Sequence, residues 1–257
     1  MSLSPALPRV ALVTGGGRRI GRALSLDLAA QGFAVAVHHH RSGAEAEAVA
    51  SAIRDGGGRA VAVGADLSRE AEVEGLVERV AAALGPVGCL VNNASVFDRD
   101  EAATATRASW DAHMETNLRA PFLLTQRLAA GLPAGAEAVV VNLLDQRVWS
   151  LTPHFVSYTV SKSALWTLTR TLALALAPRI RVNGIGPGPT LPSPRQTDEQ
   201  FRRQCRSVPL GRGTTPEEIC AAARFILSAP SMTGQMIALD GGQHLQWSPA
   251  GRVEIEE

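Results

Sequence analysis

Val10-Ala11-Leu12-Val13-Thr14-Gly15-Gly16-Gly17-Arg18-Arg19-Ile20-Gly21 is an apolar run that breaks into glycines and re-emerges in a helical pattern. The glycines permit a tight turn and close backbone approach, while the start of the following helix offers free N–H groups and a positive dipole end to a pyrophosphate. Strand, glycine-rich turn and helix in that order read as the opening of a dinucleotide-binding βαβ unit, with Gly15, Arg18, Arg19 and Ile20 as its cofactor-binding residues.

Outward from this turn, short apolar runs at 10–14, 33–37, 60–63, 89–92, 138–143, 180–185 and 236–239 alternate with helical stretches at 19–31, 43–55, 70–84, 107–132, 156–177 and 216–227. Such alternation predicts repeated βαβ units and a parallel sheet. The runs are apolar almost throughout, which predicts strands covered on both faces. The expected fold is α/β, a Rossmann-type doubly wound parallel sheet of about seven strands with helices on both faces, in a single domain over 1–257. The stretch 186–212 carries Pro187, Pro189, Pro192, Pro194 and Pro209, and a connection that long is usually functional, so a substrate loop is expected at about 187–213. The polar tail 248–257 is expected to be disordered or to reach a neighbouring subunit.

The 257 residues are 46% hydrophobic and 19% charged, enough for one large core. A net charge of +1 removes the case for a nucleic-acid partner or a membrane surface. Cys89, Cys205 and Cys220 are odd in number and lack CxxC spacing, which argues against a disulfide framework and a zinc site and fits a reducing cytoplasm. The N-terminal residues lack a basic segment followed by a long apolar run, so neither a signal peptide nor a spanning helix is expected.

The second strand ends Val37-His38-His39-His40-Arg41-Ser42, with no carboxylate before Glu45. An acidic residue there would bind the ribose 2′-hydroxyl of NAD, whereas basic groups accommodate a 2′-phosphate, so NADP(H) is the expected cofactor. Arg41 offers bidentate hydrogen bonds to phosphate and Ser42 a hydroxyl, with His38, His40 and Arg19 close by. The three histidines do not make a metal site, because on a strand only His38 and His40 share a face.

The only tyrosine, Tyr158, lies four residues before the only lysine, Lys162, in a chain with 24 arginines. Spacing i to i+4 puts both on one helix face. An ammonium beside a phenol favours phenolate and makes the tyrosine a usable proton donor and acceptor nearer neutral pH. A compact lysine ammonium suits that task better than a planar guanidinium.

With these residues the sequence resembles the short-chain dehydrogenase/reductase family. The matching positions are Thr14-Gly15 with Gly21, Asp66-Leu67, Asn92-Asn93-Ala94, Asn117, Tyr158 with Lys162, Pro187-Gly188 and Asp240-Gly241-Gly242. The resemblance implies that Tyr158 donates the proton, that Lys162 holds the nicotinamide ribose, and that Asn117 supports a water-linked proton path. It also implies that Asp66 and Leu67 flank the adenine, that Asn93 and Ala94 meet the cofactor ribose, and that Pro187 and Gly188 line the cofactor site. In the family, helices carrying the counterparts of Asn117 and Tyr158 build a tetramer interface, so a homotetramer is implied.

Two departures narrow the reading. Most family members have a glycine where this chain has Arg19, and a carbonyl-polarising serine where it has Asp145. A carboxylate cannot donate a hydrogen bond to a ketone unless protonated, so the substrate should present N–H donors or a ring nitrogen that needs a proton. Both departures, with His38 to Ser42 and Asn93-Ala94-Ser95-Val96-Phe97, look like the pteridine reductase branch. That resemblance implies that Phe97 and the nicotinamide sandwich a flat pterin ring, that Arg19 and Ser95 meet its polar edge or the cofactor phosphates, and that Asp145 and Tyr158 relay a proton to a ring nitrogen. The expected activity is NADPH-dependent reduction of a pterin or dihydrofolate-like substrate. The alternatives are a ketoreductase acting on a ketone or acyl-thioester, and a non-catalytic NADPH-binding sensor.

Overall fold

The computed structural model describes residues 3–193 and 195–246, so Pro194 and the tail 248–257 lie outside the described residues. Strands β1 (Val10–Val13), β2 (Ala34–His39), β3 (Ala60–Gly64), β4 (Cys89–Asn92), β5 (Ala138–Leu143), β6 (Ile180–Pro187) and β7 (Met236–Leu239) form one parallel sheet in the order β3-β2-β1-β4-β5-β6-β7. The helices are α1 (Arg19–Ala30), α2 (Gly43–Asp55), α3 (Glu70–Glu74), α4 (Leu76–Leu84), α5 (Arg107–Met114), α6 (Ala120–Gly131), α7 (Val156–Ala175), α8 (Asp198–Ser207) and α9 (Pro216–Ser228). This is the expected doubly wound Rossmann-type fold with helices on both faces.

Two hydrophobic layers hold the sheet. On one face Leu24 and Leu28 of α1, Ile53 of α2 and Ile219 and Ile226 of α9 pack against Val13, Val37 and Val141. On the other, Leu76 and Val80 of α4 and Leu124 and Leu128 of α6 pack against Leu12, Leu90 and Val140. Odd and even strand residues thus serve opposite faces, as the pleat requires. Each fully buried aliphatic side chain contributes about 2 kcal/mol against leaving it exposed.

Strand order reverses beside β1, where β1 pairs with both β2 and β4, and the crevice beyond the strand ends at such a switch point is where this architecture binds ligands. Val13 is level with Val37 and with Val91, so the three following turns converge there.

Three elements differ from the sequence expectation. The stretch 70–84 is two helices, because Gly75 sits between α3 and α4. The stretch 107–132 is broken by a π-helical turn over Glu115–Arg119. Within the expected loop lies α8, closed by a capping box of Thr197 and Gln200. No residue of α8 is fully buried, and its apolar side is only Phe201 and Cys205, one turn apart, too short a stripe for the sequence pattern to reveal.

Candidate active site

The β1–α1 turn depends on two glycines. Gly15 has φ +62°, the left-handed region that favours glycine. At Gly21 a Cβ would lie 2.1 Å from the Gly15 carbonyl oxygen, so only glycine lets α1 start against the turn. No side chain caps α1, which leaves its first N–H groups for a ligand. The turn is braced from neighbouring strand ends: Asn93 Nδ2 donates to the Thr14 carbonyl at 2.8 Å, and the Asn93 and Ala94 N–H groups donate to Thr14 Oγ1 at 2.9 and 3.0 Å.

His38 is buried and belongs to this scaffold. Its Nδ1 accepts from the Gly15 N–H at 3.1 Å, so Nε2 carries the proton and donates to the Ala65 carbonyl at 3.1 Å. Burial pushes its pKa down to about 4, with the Ala65 hydrogen bond working the other way. Both ring nitrogens are therefore committed to the protein. His40 is half exposed, its Nε2 3.6 Å from Asp66 Oδ2. Partial burial works to raise the Asp66 pKa, but hydrogen bonds from Ser68 outweigh it and hold the carboxyl low. Arg18 pairs with Glu45, while Arg41 is exposed and has no partner among the described residues.

A cavity of about 700 Å³ runs from this turn to the ends of β5 and β6. All the residues expected to bind cofactor or substrate line it except Arg41. Asn117, expected to support proton transfer, also stands behind the wall. It lies in the π turn, where Oδ1 accepts from Val96 N–H at 2.8 Å and Nδ2 donates to Val96 O at 3.0 Å and Ser161 Oγ at 3.1 Å. Such turns recur at functional sites, and here one sets the backbone before Phe97.

Tyr158 and Lys162 project from α7 towards the end of β5. Tyr158 Oη donates to Asp145 Oδ2 at 2.8 Å. Asp145 also accepts, through Oδ1, from the Arg147 backbone N–H at 2.8 Å, capping a short 3₁₀ turn over Gln146–Val148. Lys162 Nζ donates to the Leu143 carbonyl at 2.7 Å and lies 5.8 Å from the Tyr158 ring centroid. Burial pushes its pKa down to about 8, opposed by the Asp145 charge.

Phe97 lines the cavity, but its ring stacks on Phe155, with centroids 4.5 Å apart and planes 5° apart, and meets the Tyr158 ring edge-on at 4.6 Å. Phe155 itself has φ +57° at the N-cap of α7. Its N–H donates to the Asp100 carbonyl at 2.8 Å, and Asp100 Oδ1 accepts from Ser157 N–H, so Asp100 caps α7 from another loop. Ser95 Oγ is turned to Asn117 Oδ1 at 3.2 Å.

Arg19, expected on a phosphate or substrate edge, donates to the Leu191 and Pro192 carbonyls at 3.1 and 2.8 Å. Lining residues that the sequence reading did not name include Arg147, and Arg195, Phe201 and Gln204 from the stretch 187–213 and α8. The proline-rich stretch pointed to the last three as a group, and Arg147 is signalled only by its place two residues after Asp145. Trp149 packs edge-on against Trp166 and His244, and Met236 is buried in the core. Among the described residues no helix is long and apolar enough to cross a membrane.

A parallel sheet in this order, a glycine turn at its switch point and a Tyr158–Lys162 pair beside Asp145 define an oxidoreductase site. The chain belongs to the short-chain dehydrogenase/reductase family, and the family model described as enoyl-(acyl carrier protein) reductase matches residues 16–244. The crystal structure of FolM alternative dihydrofolate reductase 1 from Brucella suis in complex with NADP superposes with a TM-score of 0.92 at 51% identity, covering 96% of this chain and 99% of that one. An uncharacterized oxidoreductase of Methylorubrum extorquens is 34% identical over 242 residues, covering 91% of this chain and 97% of its own length. A 3-oxoacyl-[acyl-carrier-protein] reductase of Synechocystis is 30% identical over 238 residues, covering 91% of this chain and 96% of its own length.

Proposed function

We propose that the chain is an NADPH-dependent reductase of a pterin or dihydrofolate-like ring. One observation carries this reading: the group facing Tyr158 is Asp145, whose described contacts are all as acceptor. A ketone oxygen needs a donor there, whereas the amino and N–H edge of a pterin needs an acceptor.

NADP(H) is the cofactor. The uncapped start of α1, the Gly15 turn and the absence of a carboxylate at the end of β2 fit its pyrophosphate and 2′-phosphate, with Arg18, Arg41 and Ser42 placed for the latter. When bound it supplies a hydride to a ring carbon. Tyr158 gives its proton to the adjacent ring nitrogen, Lys162 supports the phenolate and holds the ribose hydroxyls, and Asp145 orients the ring edge. Phe97, backed by Phe155, offers an aromatic wall to a planar substrate. Asn117 and Ser161 lie behind the site as the start of a route for reprotonation.

The single catalytic domain, with its substrate loop at about 187–213, works as a cytoplasmic homotetramer in this reading. Val160 and Leu174 on the outer face of α7 are exposed apolar residues that such an interface would cover.

The 3-oxoacyl-[acyl-carrier-protein] reductase relatives favour a second reading, reduction of a ketone or acyl-thioester. NADPH oxidation measured side by side with dihydrobiopterin, dihydromonapterin, dihydrofolate and a β-keto ester separates the two. Turnover of the pterins or dihydrofolate is expected. Brisk reduction of the keto ester alone would replace the first reading with the second.

A further inference from the structure

The sole tyrosine and its aspartate partner pose an electrostatic difficulty. Once Tyr158 has released its proton, its phenolate oxygen lies against Asp145 Oδ2, the oxygen to which it was hydrogen-bonded at 2.8 Å. Two like charges that close disfavour the step strongly in a partly buried site. Lys162 meets the difficulty from one side only, because it stands one helical turn along α7 and points to the Leu143 carbonyl.

A second cation stands on the other side. Arg147 is buried, with its side chain 8% exposed, and its Nη1 lies 3.4 Å from the same Asp145 Oδ2 that accepts from Tyr158. Its backbone N–H holds Asp145 Oδ1, so both carboxylate oxygens are fixed by one residue. The guanidinium carbon sits 5.5 and 5.3 Å from the centroids of the stacked Phe97 and Phe155 rings, which keep it in place and exclude water from it.

We propose that Arg147 is the counter-charge of the Tyr158–Asp145 pair: it offsets the carboxylate so that the phenol can release its proton with Asp145 still ionised beside it. The proposal rests on the reading of Tyr158 as proton donor. In the balanced step, the hydride of reduced nicotinamide forms a C–H bond as the substrate C=N bond is reduced, the Tyr158 O–H bond breaks and an N–H bond forms. Solvent then returns the proton to the phenolate. Arg147 touches neither reacting atom; it acts through Asp145 as a positioning residue. A neutral side chain at 147 would leave proton release opposed by the full carboxylate charge.

Among the described residues, Asp145 from the end of β5, Arg147 from the 3₁₀ turn, Lys162 from α7 and His113 from α5, whose ring centroid is 6.0 Å away, face the phenol. Arg195 lies over Phe97 from the substrate loop, and Asp100 is buried against Ser157.

Because Tyr158 is the only tyrosine, its ionisation can be followed by ultraviolet difference absorbance in the whole protein, without substrate. Arg147→Gln is expected to raise the midpoint by about one pH unit, a tenfold change in the equilibrium. Arg147→Lys should restore most of it, and the isosteric Asp145→Asn should lower it. The rate should follow, with Arg147→Gln lowering kcat about tenfold at neutral pH and Arg147→Lys recovering it. A midpoint unmoved in Arg147→Gln, or unrescued in Arg147→Lys, would overturn the proposal. If Arg147→Gln does not fold, the Arg147→Lys and Asp145→Asn titrations decide alone, since an unshifted midpoint in Asp145→Asn removes the charge that Arg147 is said to offset. Failure of the wild-type enzyme on the substrate panel would instead remove the reductase reading, and leaves this titration intact.

Discussion

Arg19 Nη1 donates to the Pro192 carbonyl at 2.8 Å, joining the first turn of the chain to a loop 173 residues further on. Arg19 holds this position with φ +51°, where most family members have glycine. A guanidinium with several donors can hold the Leu191 and Pro192 carbonyls at once, so this residue ties the β1–α1 turn to the proline-rich loop after β6.

Arg19→Ala removes two hydrogen bonds from a charged donor, each worth about 1 kcal/mol at a partly exposed site. The KM for the pterin substrate is expected to rise about tenfold, and limited proteolysis between 187 and 213 to accelerate. Unchanged proteolysis would show that the loop is held by other contacts.

Tyr158→Phe deletes the hydroxyl proposed as the proton donor and leaves the ring packing on Phe97 intact. General acid catalysis contributes about 10²–10⁴-fold, so kcat should drop by at least about a hundredfold. NADPH binding, followed by nucleotide fluorescence, should stay within about threefold of wild type, because general acid catalysis and ground-state binding are separate terms. Retained turnover would exclude Tyr158 as the donor.

Arg41 is exposed at the end of β2. Arg41→Ala is expected to weaken NADPH about tenfold, the loss of one charge-assisted phosphate contact, and to leave NADH unchanged. Competitive titration of the two nucleotides measures the ratio. An equal loss for both would remove the 2′-phosphate role.

His38 makes the fold sensitive to acid. Its folded pKa, about 4, lies below the usual histidine value, so between about 6.5 and 4 the unfolded chain binds a proton that the folded chain does not. Stability therefore falls as pH drops through that window and is retained above it. Protonated Nδ1 can no longer accept from Gly15 N–H, so the β1–α1 turn loses that hydrogen bond. Thermal melts at pH 7 and pH 5 should differ more for wild type than for His38→Gln; equal differences would count against His38 as the titrating group.

Much of the site was legible because it is local. Tyr158 and Lys162 share a face by helical spacing alone, and the Gly15 turn is a continuous segment between an apolar strand and a helix. Arg147 was missed because an arginine four residues after a strand gives no sign of being buried. Phe97 is legible as an aromatic near the site, but the backing of its ring by Phe155 depends on a left-handed residue 58 positions later that no pattern announces. Helix α8 was hidden because its apolar side is only Phe201 and Cys205, less than two turns of periodicity.

Taken alone, the amino-acid sequence determined the seven strands, the parallel sheet, the glycine turn after β1 and the shared helix face of Tyr158 and Lys162. Each follows from periodicity or composition over a short span, where backbone geometry leaves few choices. Tertiary structure decided which long-range partners those residues keep: Asp145 for Tyr158, Gly15 for His38, Pro192 for Arg19. Such contacts depend on sheet register and loop path, which set where strand ends meet, and no local pattern encodes a distance between them.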